Sequence, residues 1–127
     1  MIIILFPYKF TNFFFKKYQI ARLKSKFKGK VEVHDISEII SKNRKDIFKR
    51  KNDKNIIVFK KIKDWEKHLV KIIKSEKKLA LVNLTSYSLD SFKSFYIHYL
   101  LSKFKINIIE MNSAEVYEYT ANKSINA

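Results

Sequence analysis

One stretch constrains the fold of this chain more than any other. Residues 79–84 read LALVNL, and the polar run TSYS follows at 85–88. A short run that is nearly all apolar is typical of a strand buried on both faces, as in a parallel sheet. The polar run predicts a loop, and Ser88 has the hydroxyl that a helix N-cap requires. A strand, a polar turn and a helix form the unit from which open α/β sheets are built.

The rest of the chain repeats this alternation of apolar runs and helical periodicity. Further strands are predicted at 2–6, 31–36, 56–59 and 106–111. Helices are predicted at 13–27, after Ser37, after Asp64 and at about 89–104. In these helices Ser37 and Asp64 are the predicted N-caps, and an aromatic face of the last helix is predicted to be core. Gly29, the only glycine, is predicted to end the first helix in a left-handed conformation.

These elements predict an α/β fold. Strands that alternate with helices favour a Rossmann-like open parallel sheet of about five strands, with helices on both faces. Short right-handed connections favour the strand order 3-2-1-4-5. We expect the domain to cover residues 1–112, and we interpret residues 113–127 as a tail that begins a second domain.

Composition excludes several classes of site. A single glycine cannot supply the Gly-rich loops that bind dinucleotides or nucleoside triphosphates. The chain has no cysteine, which excludes disulfides, Cys-type zinc sites and thiol nucleophiles. Its three histidines show no metal-ligand spacing, so neither a metal nor a cofactor is predicted. Lysines interrupt the apolar segments, so no transmembrane segment is predicted, and we expect a cytoplasmic protein, peripheral to the inner membrane at most.

The formal net charge of +15 has two interpretations. A lysine-rich, solvated surface explains it without any partner. Alternatively, the charge serves an anionic partner such as nucleic acid, a lipid surface or an acidic substrate. Charge alone does not distinguish these interpretations.

The predicted topology places a ligand site outside the carboxyl ends of the strands, where the strand order reverses. Loops after the first, second and fourth strands supply the candidates. These ligand-binding candidates are Tyr8, Thr11, Asn12, His34, Thr85, Ser86 and Tyr87. Helix capping alone also explains polar residues at several of these positions. No Ser-His-Asp set or pair of carboxylates can be assembled, so no catalytic residue is predicted.

His34 and Asp35 form the one adjacent pair that has the chemistry of a general base and its orienting carboxylate. Adjacent residues on a strand point to opposite faces of the sheet, so a direct contact between these two side chains is disfavoured. A surface or capping role is the favoured interpretation of both.

Three segments resemble one protein family. They are MIIILFPY at 1–8 with the aromatic, lysine-rich helix after it, VEVHDIS at 31–37, and LVNL at 81–84 leading into SLDSF at 88–92. Together they resemble the start of bacterial capsule and O-antigen biosynthesis proteins that look like two-domain glycosyltransferases of the GT-B type. The resemblance covers about residues 1–112.

The resemblance implies that this chain is the amino-terminal, acceptor-side half of such a protein and is inactive alone. In that architecture the carboxy-terminal domain holds most of the sugar nucleotide, and catalysis occurs between the domains. The implied partners are a glycan acceptor and a nucleotide sugar, the latter through a second domain. Lysines on the first two helices would suit an anionic membrane surface.

Two other classes compete with this interpretation. A small basic nucleic-acid-binding α/β protein is the alternative, with the charge and the aromatics Tyr8, Phe10 and Tyr87 in its favour. No recognised nucleic-acid-binding motif accompanies them. A flavodoxin-like signalling module is disfavoured, because the expected acidic cluster and active-site lysine are not found at the strand ends.

Overall fold

The computed structural model describes residues 1–40, 48–85 and 92–110. Its strands are β1 (Ile2–Phe6), β2 (Val31–Asp35), β3 (Ile56–Val58), β4 (Ala80–Asn83) and β5 (Asn107–Glu110). Its helices are α1 (Asn12–Lys17), α2 (Ile20–Lys26), α3 (Ser37–Ile40), α4 (Ile62–Ser75) and α5 (Phe92–Lys103). The tail at 113–127 lies outside the described residues.

The strands form one parallel sheet in the order β3-β2-β1-β4-β5, which confirms the predicted topology. β1 lies at the centre, where Ile2 is paired with Val31 of β2 on one side and with Ala80 of β4 on the other. The order therefore reverses between β1 and β4. Because the strands are parallel, their carboxyl ends lie along one edge of the sheet, which we call the carboxyl edge, and their starts lie along the amino edge.

The sheet is covered on both faces because its strands alternate their side chains. Ile3 and Leu5 of β1 enter one core with residues of α4 and α5, and Trp65 and Leu69 of α4 are fully buried there. Ile4 and Phe6 enter a second core with residues of α1 and α2. The central strand contributes to both cores, which explains why residues 2–6 are apolar without alternation.

The prediction of one continuous helix at 13–27 is wrong. Two helices, α1 and α2, replace the single helix at 13–27, and Gln19 between them has a left-handed backbone with φ of 52°. The break allows both segments to reach the core. Phe14 packs on Phe6 with ring centroids 4.7 Å apart, and Ile20 is buried.

Two predicted helix boundaries are also wrong. Gly29 has no positive φ, and α2 ends through an extended Phe27. A Cβ on Gly29 would lie 2.6 Å from Cε1 of Phe27, so a side chain at this position would require the Phe27 ring to move. α4 begins at Ile62, with Lys61 as N-cap, so Asp64 lies in the first turn instead of capping the helix. There its charge still complements the helix dipole.

The aromatic face predicted as core on the last helix is only partly buried. Ile97, Leu100 and Leu101 of α5 enter the core, whereas Phe95 and Tyr99 are 56% and 52% exposed. α5 is apolar around most of its circumference, so its periodicity did not identify the side that packs on the sheet. None of the helices in the described part of the chain is long and apolar enough to span a bilayer.

Candidate functional site

The carboxyl edge carries a buried carboxylate that joins three segments of the chain. Asp35 ends β2 and is fully buried. Its Oδ2 accepts the backbone N–H of Phe10 at 3.0 Å and Nε–H of Arg50 at 3.1 Å. Its Oδ1 accepts the backbone N–H of Ser37 at 3.0 Å and the Ser37 hydroxyl at 2.6 Å. Asp35 thus fixes the β1–α1 loop, the start of α3 and the segment that leads to β3.

Arg50 extends this network towards solvent. Its Nη2 lies 3.3 Å from Oε2 of Glu38, an ion pair without hydrogen-bond geometry, and the Arg50 side chain is 30% exposed. The backbone around it pairs with the β1–α1 loop, because Thr11 and Arg50 form an antiparallel bridge and Lys51 N–H donates to the Phe10 carbonyl at 2.8 Å. Hydrogen bonds therefore position the loop after β1 from two sides.

A second polar cluster lies at the end of β4. Asn83 and Thr85 are buried, and the Thr85 hydroxyl donates to Oδ1 of Asn83. Nε2 of His98, from α5, lies 3.3 Å from Nδ2 of Asn83 and 3.4 Å from Oγ1 of Thr85. Since the Thr85 hydroxyl proton goes to Asn83, His98 either accepts from the Asn83 amide or donates to the Thr85 oxygen, depending on its tautomer. The cluster therefore links the end of β4 to α5.

His34 is one residue before the end of β2 and points to the opposite face of the sheet from Asp35, towards α4. Glu32 and His34 share one face of β2, and Nε2 of His34 is 2.9 Å from Oε2 of Glu32. His68 of α4 places its Nε2 3.0 Å from the same oxygen. The indole N–H of Trp65 donates to Nδ1 of His34 at 3.2 Å. These four residues form a hydrogen-bonded chain between β2 and α4, which we call the His34 chain.

Glu32, His34 and His68 are a set of side chains that a divalent transition metal could use, with one donor atom from each within 4.8 Å of the others. The hydrogen bond from Trp65 opposes such a site. An indole N–H is a donor only, so Nδ1 of His34 must carry the lone pair and Nε2 must carry the proton. A metal on Nε2 would require the opposite tautomer and would leave a buried indole N–H unpaired, at a cost of about 1–3 kcal/mol. The hydrogen bond from Trp65 therefore disfavours a metal in this arrangement.

The electrostatics of the His34 chain follow from burial and pairing. Hydrogen bonds from His34 and His68 lower the pKa of Glu32 to about 2, against the opposing effect of burial. Burial lowers the pKa of His34, and the nearby Glu32 carboxylate only partly offsets that effect. At neutral pH the chain therefore contains a carboxylate and a neutral His34.

The structure distributes the predicted ligand-binding residues over different environments. Tyr8 is 46% exposed at the carboxyl edge, and Asn12 is exposed as the first residue of α1. Thr11 occupies the N-cap position of α1 without a capping hydrogen bond from its side chain. Thr85 belongs to the buried cluster at the end of β4, and His34 to the His34 chain. Ser86 and Tyr87 lie outside the described residues.

The predicted surface role of His34 and Asp35 is wrong, since both side chains are fully buried. As expected from strand geometry, the two side chains point to opposite faces of the sheet. His34 pairs with Glu32, and Asp35 pairs with Arg50. Asp35 does satisfy the first N–H of α3, so the capping interpretation holds for it.

The sequence interpretation missed Arg50, His98 and the pair Glu32–His68. One signal was present, because Glu32 and His34 are two residues apart and alternate residues of a strand share a face. No local signal connects Arg50 to Asp35 or His98 to Asn83. Those contacts depend on how the helices and the long β2–β3 connection pack.

Comparison with protein-family models, curated protein sequences and solved structures finds no match to this chain.

Proposed function

We propose that this chain is the amino-terminal, acceptor-side domain of a glycosyltransferase-like protein of bacterial surface-polysaccharide biosynthesis. In this proposal the chain binds the acceptor and a second domain holds the nucleotide sugar, so the chain has no transferase activity alone. The proposal rests on the resemblance of three segments to that family and on one structural observation. The observation is a parallel sheet whose order reverses between β1 and β4, with polar groups at the carboxyl ends of both strands.

The loop at this reversal offers two kinds of contact to an acceptor. Open α/β sheets bind ligands in the crevice where the strand order reverses. Here the β1–α1 loop presents an exposed Tyr8 and a half-buried Lys9, and Asp35 and Lys51 fix the end of that loop. A loop with an aromatic ring and a lysine offers stacking and charge to a sugar linked to a phosphate.

The test is a titration of the isotopically labelled chain, followed by NMR, with two probes. The first is a water-soluble ten-carbon polyprenyl pyrophosphate, which carries the phosphate chemistry of a lipid-linked acceptor, and the second is UDP-glucose. We expect chemical-shift changes at Tyr8, Lys9 and Thr85 with the first probe only. Changes with neither probe, or with UDP-glucose alone, would contradict the proposal.

Two variants of equal net charge distinguish binding at a specific site from non-specific electrostatic attraction. Lys9→Gln removes a lysine at the carboxyl edge, and Lys78→Gln removes an exposed lysine at the amino edge, so both lower the net charge by one. We expect Lys9→Gln to weaken binding of the pyrophosphate several-fold and Lys78→Gln to leave it unchanged. Equal effects would show that the probe responds only to net charge.

Nucleic-acid binding remains the second candidate because of one feature of the amino edge. The turns that enter β2, β3, β4 and β5 all carry exposed lysines there: Lys28, Lys30, Lys54, Lys77, Lys78 and Lys105. Of the aromatics considered for base stacking, Phe10 is fully buried and therefore excluded, whereas Tyr8 is exposed. Binding to single-stranded RNA that weakens steeply with salt, and is reduced by Lys78→Gln more than by Lys9→Gln, would favour this function.

A further inference from the structure

The His34 chain lies on the face of the sheet that packs on α4, and the proposed function does not use it. It connects a strand to a helix, because Glu32 and His34 belong to β2 whereas Trp65 and His68 belong to α4. His34 and Trp65 are both fully buried. Buried polar groups of this kind must be satisfied in one defined arrangement, and a change of protonation alters that arrangement.

Both ring nitrogens of His34 are already in use. Nδ1 accepts from the indole of Trp65, and Nε2–H donates to Glu32. A second proton can be added only at Nδ1. There it would face the indole N–H across 3.2 Å, so two donors would oppose each other and the hydrogen bond would be lost.

We propose that the His34 chain is a pH-sensitive contact between β2 and α4, in which protonation of His34 at Nδ1 breaks its hydrogen bond to Trp65 and loosens α4 from the sheet. The step adds one proton from solvent to Nδ1. It breaks one hydrogen bond and leaves Nε2–H on Glu32. The contact is closed when His34 is neutral and opens when His34 is an imidazolium.

The groups around His34 set the direction of this response. Glu32 on β2 and His68 on α4 are the titratable groups that act on it among the described residues, and the Phe59 ring packs beside it at 5.1 Å. Burial and the charge of a protonated His68 disfavour the imidazolium, whereas the Glu32 carboxylate favours it. Because burial is the largest effect, the pKa of His34 lies below its ordinary value of about 6.5. The contact is therefore closed at neutral pH and opens in acid.

The single tryptophan of the chain is itself the probe for this experiment. The fluorescence of Trp65 is measured from pH 8 to about pH 4, and the ring nitrogens of His34 are followed by two-dimensional ¹⁵N–¹H NMR. At neutral pH we expect His34 as the Nε2–H tautomer. On acidification we expect its Nδ1 resonance, the Trp65 indole N–H and the fluorescence to change with one midpoint.

Two variants identify the histidine responsible. His34→Gln keeps a carbonyl acceptor for the indole but cannot titrate, so we expect the fluorescence transition to be lost. His68→Gln keeps His34 and its bond to Trp65, so we expect the transition to remain. A transition that survives in His34→Gln and disappears in His68→Gln would overturn the proposal.

The wild-type protein decides the question even if His34→Gln does not fold. An Nδ1–H tautomer of His34 at neutral pH would overturn the proposal, as would a Trp65 indole N–H that does not titrate together with His34. Addition of Zn²⁺ at neutral pH is the remaining control. A stoichiometric shift of the His34 and His68 ring resonances would assign the cluster to a metal and would also overturn the proposal.

Discussion

Substitution of Asp35 tests whether one buried carboxylate organises the carboxyl edge. Its two oxygens accept four hydrogen bonds from Phe10, Ser37 and Arg50, and no part of its side chain is exposed. Asp35→Ala leaves two backbone N–H groups and a guanidinium without their acceptor. The guanidinium is 30% exposed and can regain water, but each buried donor left without its acceptor costs about 1–3 kcal/mol, so we expect a total loss of about 3–5 kcal/mol. Domains of this kind have about 5–15 kcal/mol of stability in total, so the loss is a large fraction of it.

Asp35→Asn refines the argument because it keeps the shape of the side chain. The amide has one acceptor oxygen, so its NH₂ group must face donors that the carboxylate satisfied. We expect a loss of about 2–3 kcal/mol, since hydrogen bonds to charged groups are worth about 1.5–3 kcal/mol each. Both variants are measured by urea unfolding followed by circular dichroism, from which the free energy of unfolding is extrapolated. Asp35→Ala should also lower the melting temperature by roughly 10–20 °C.

The matched control is Asp64→Asn, which removes the same charge from an exposed position in the first turn of α4. Only its interaction with the helix dipole is lost, so we expect a change of about 0.3–1 kcal/mol. The reasoning is refuted if Asp35→Ala and Asp64→Asn destabilise the protein equally. It is also refuted if a salt concentration of about 0.5 M removes the effect of Asp35→Ala, because hydrogen bonds to a fully buried carboxylate are only weakly screened by salt.

Three further predictions concern the His34 chain, the last helix and the first helix break. The pKa of Glu32 is lowered to about 2 in the folded protein, below its unfolded value. Its stabilising contribution is therefore complete above about pH 4.5 and is lost as the pH falls towards 2. Urea unfolding at several pH values should show this acid sensitivity in the wild type and a smaller acid sensitivity in Glu32→Gln. Leu100→Ala should lower the free energy of unfolding by about 2–5 kcal/mol, because Leu100 is 1% exposed. Phe95→Ala should lower it clearly less, because Phe95 is 56% exposed. Equal losses of stability in urea unfolding would contradict the packing of α5. Gln19→Gly should raise the free energy of unfolding by up to about 1 kcal/mol, since glycine adopts the left-handed φ of 52° without strain, and a loss of stability would show that the Gln19 side chain matters more than its backbone.

Much of the fold was predictable because it depends on local patterns. Runs such as IIILF at 2–6 and LALVNL at 79–84 are too apolar for a half-exposed strand, and their alternation with helical segments leaves few topologies. The order 3-2-1-4-5 followed from those patterns and is confirmed. Helix boundaries were less predictable. α4 begins at Ile62, ahead of the better capping residue Asp64, and Ile62 packs against the same core as Trp65 and Leu69.

The candidate site was predictable only as a region. Sequence placed Tyr8, Asn12 and Thr85 near one edge because parallel strands end on the same side. It did not show that Asp35 binds Arg50, since fifteen residues separate them and only the packed β2–β3 connection brings them to 3.1 Å.

The amino-acid sequence by itself determined the class of fold, the order of the strands and the exclusion of Gly-loop and thiol chemistry, because these depend on composition and short-range periodicity. Only the tertiary structure decided which polar groups are buried and what they contact. His34 is the clearest case. The sequence favoured a surface or capping role for it and for its neighbour Asp35. Its actual partners are Glu32 on the same strand face and Trp65 on a helix thirty-one positions away. Adjacent residues of a strand point to opposite faces of the sheet, and the helix that packs on each face comes from a distant part of the sequence. The partners of a buried side chain, and therefore its chemistry, are set by the fold.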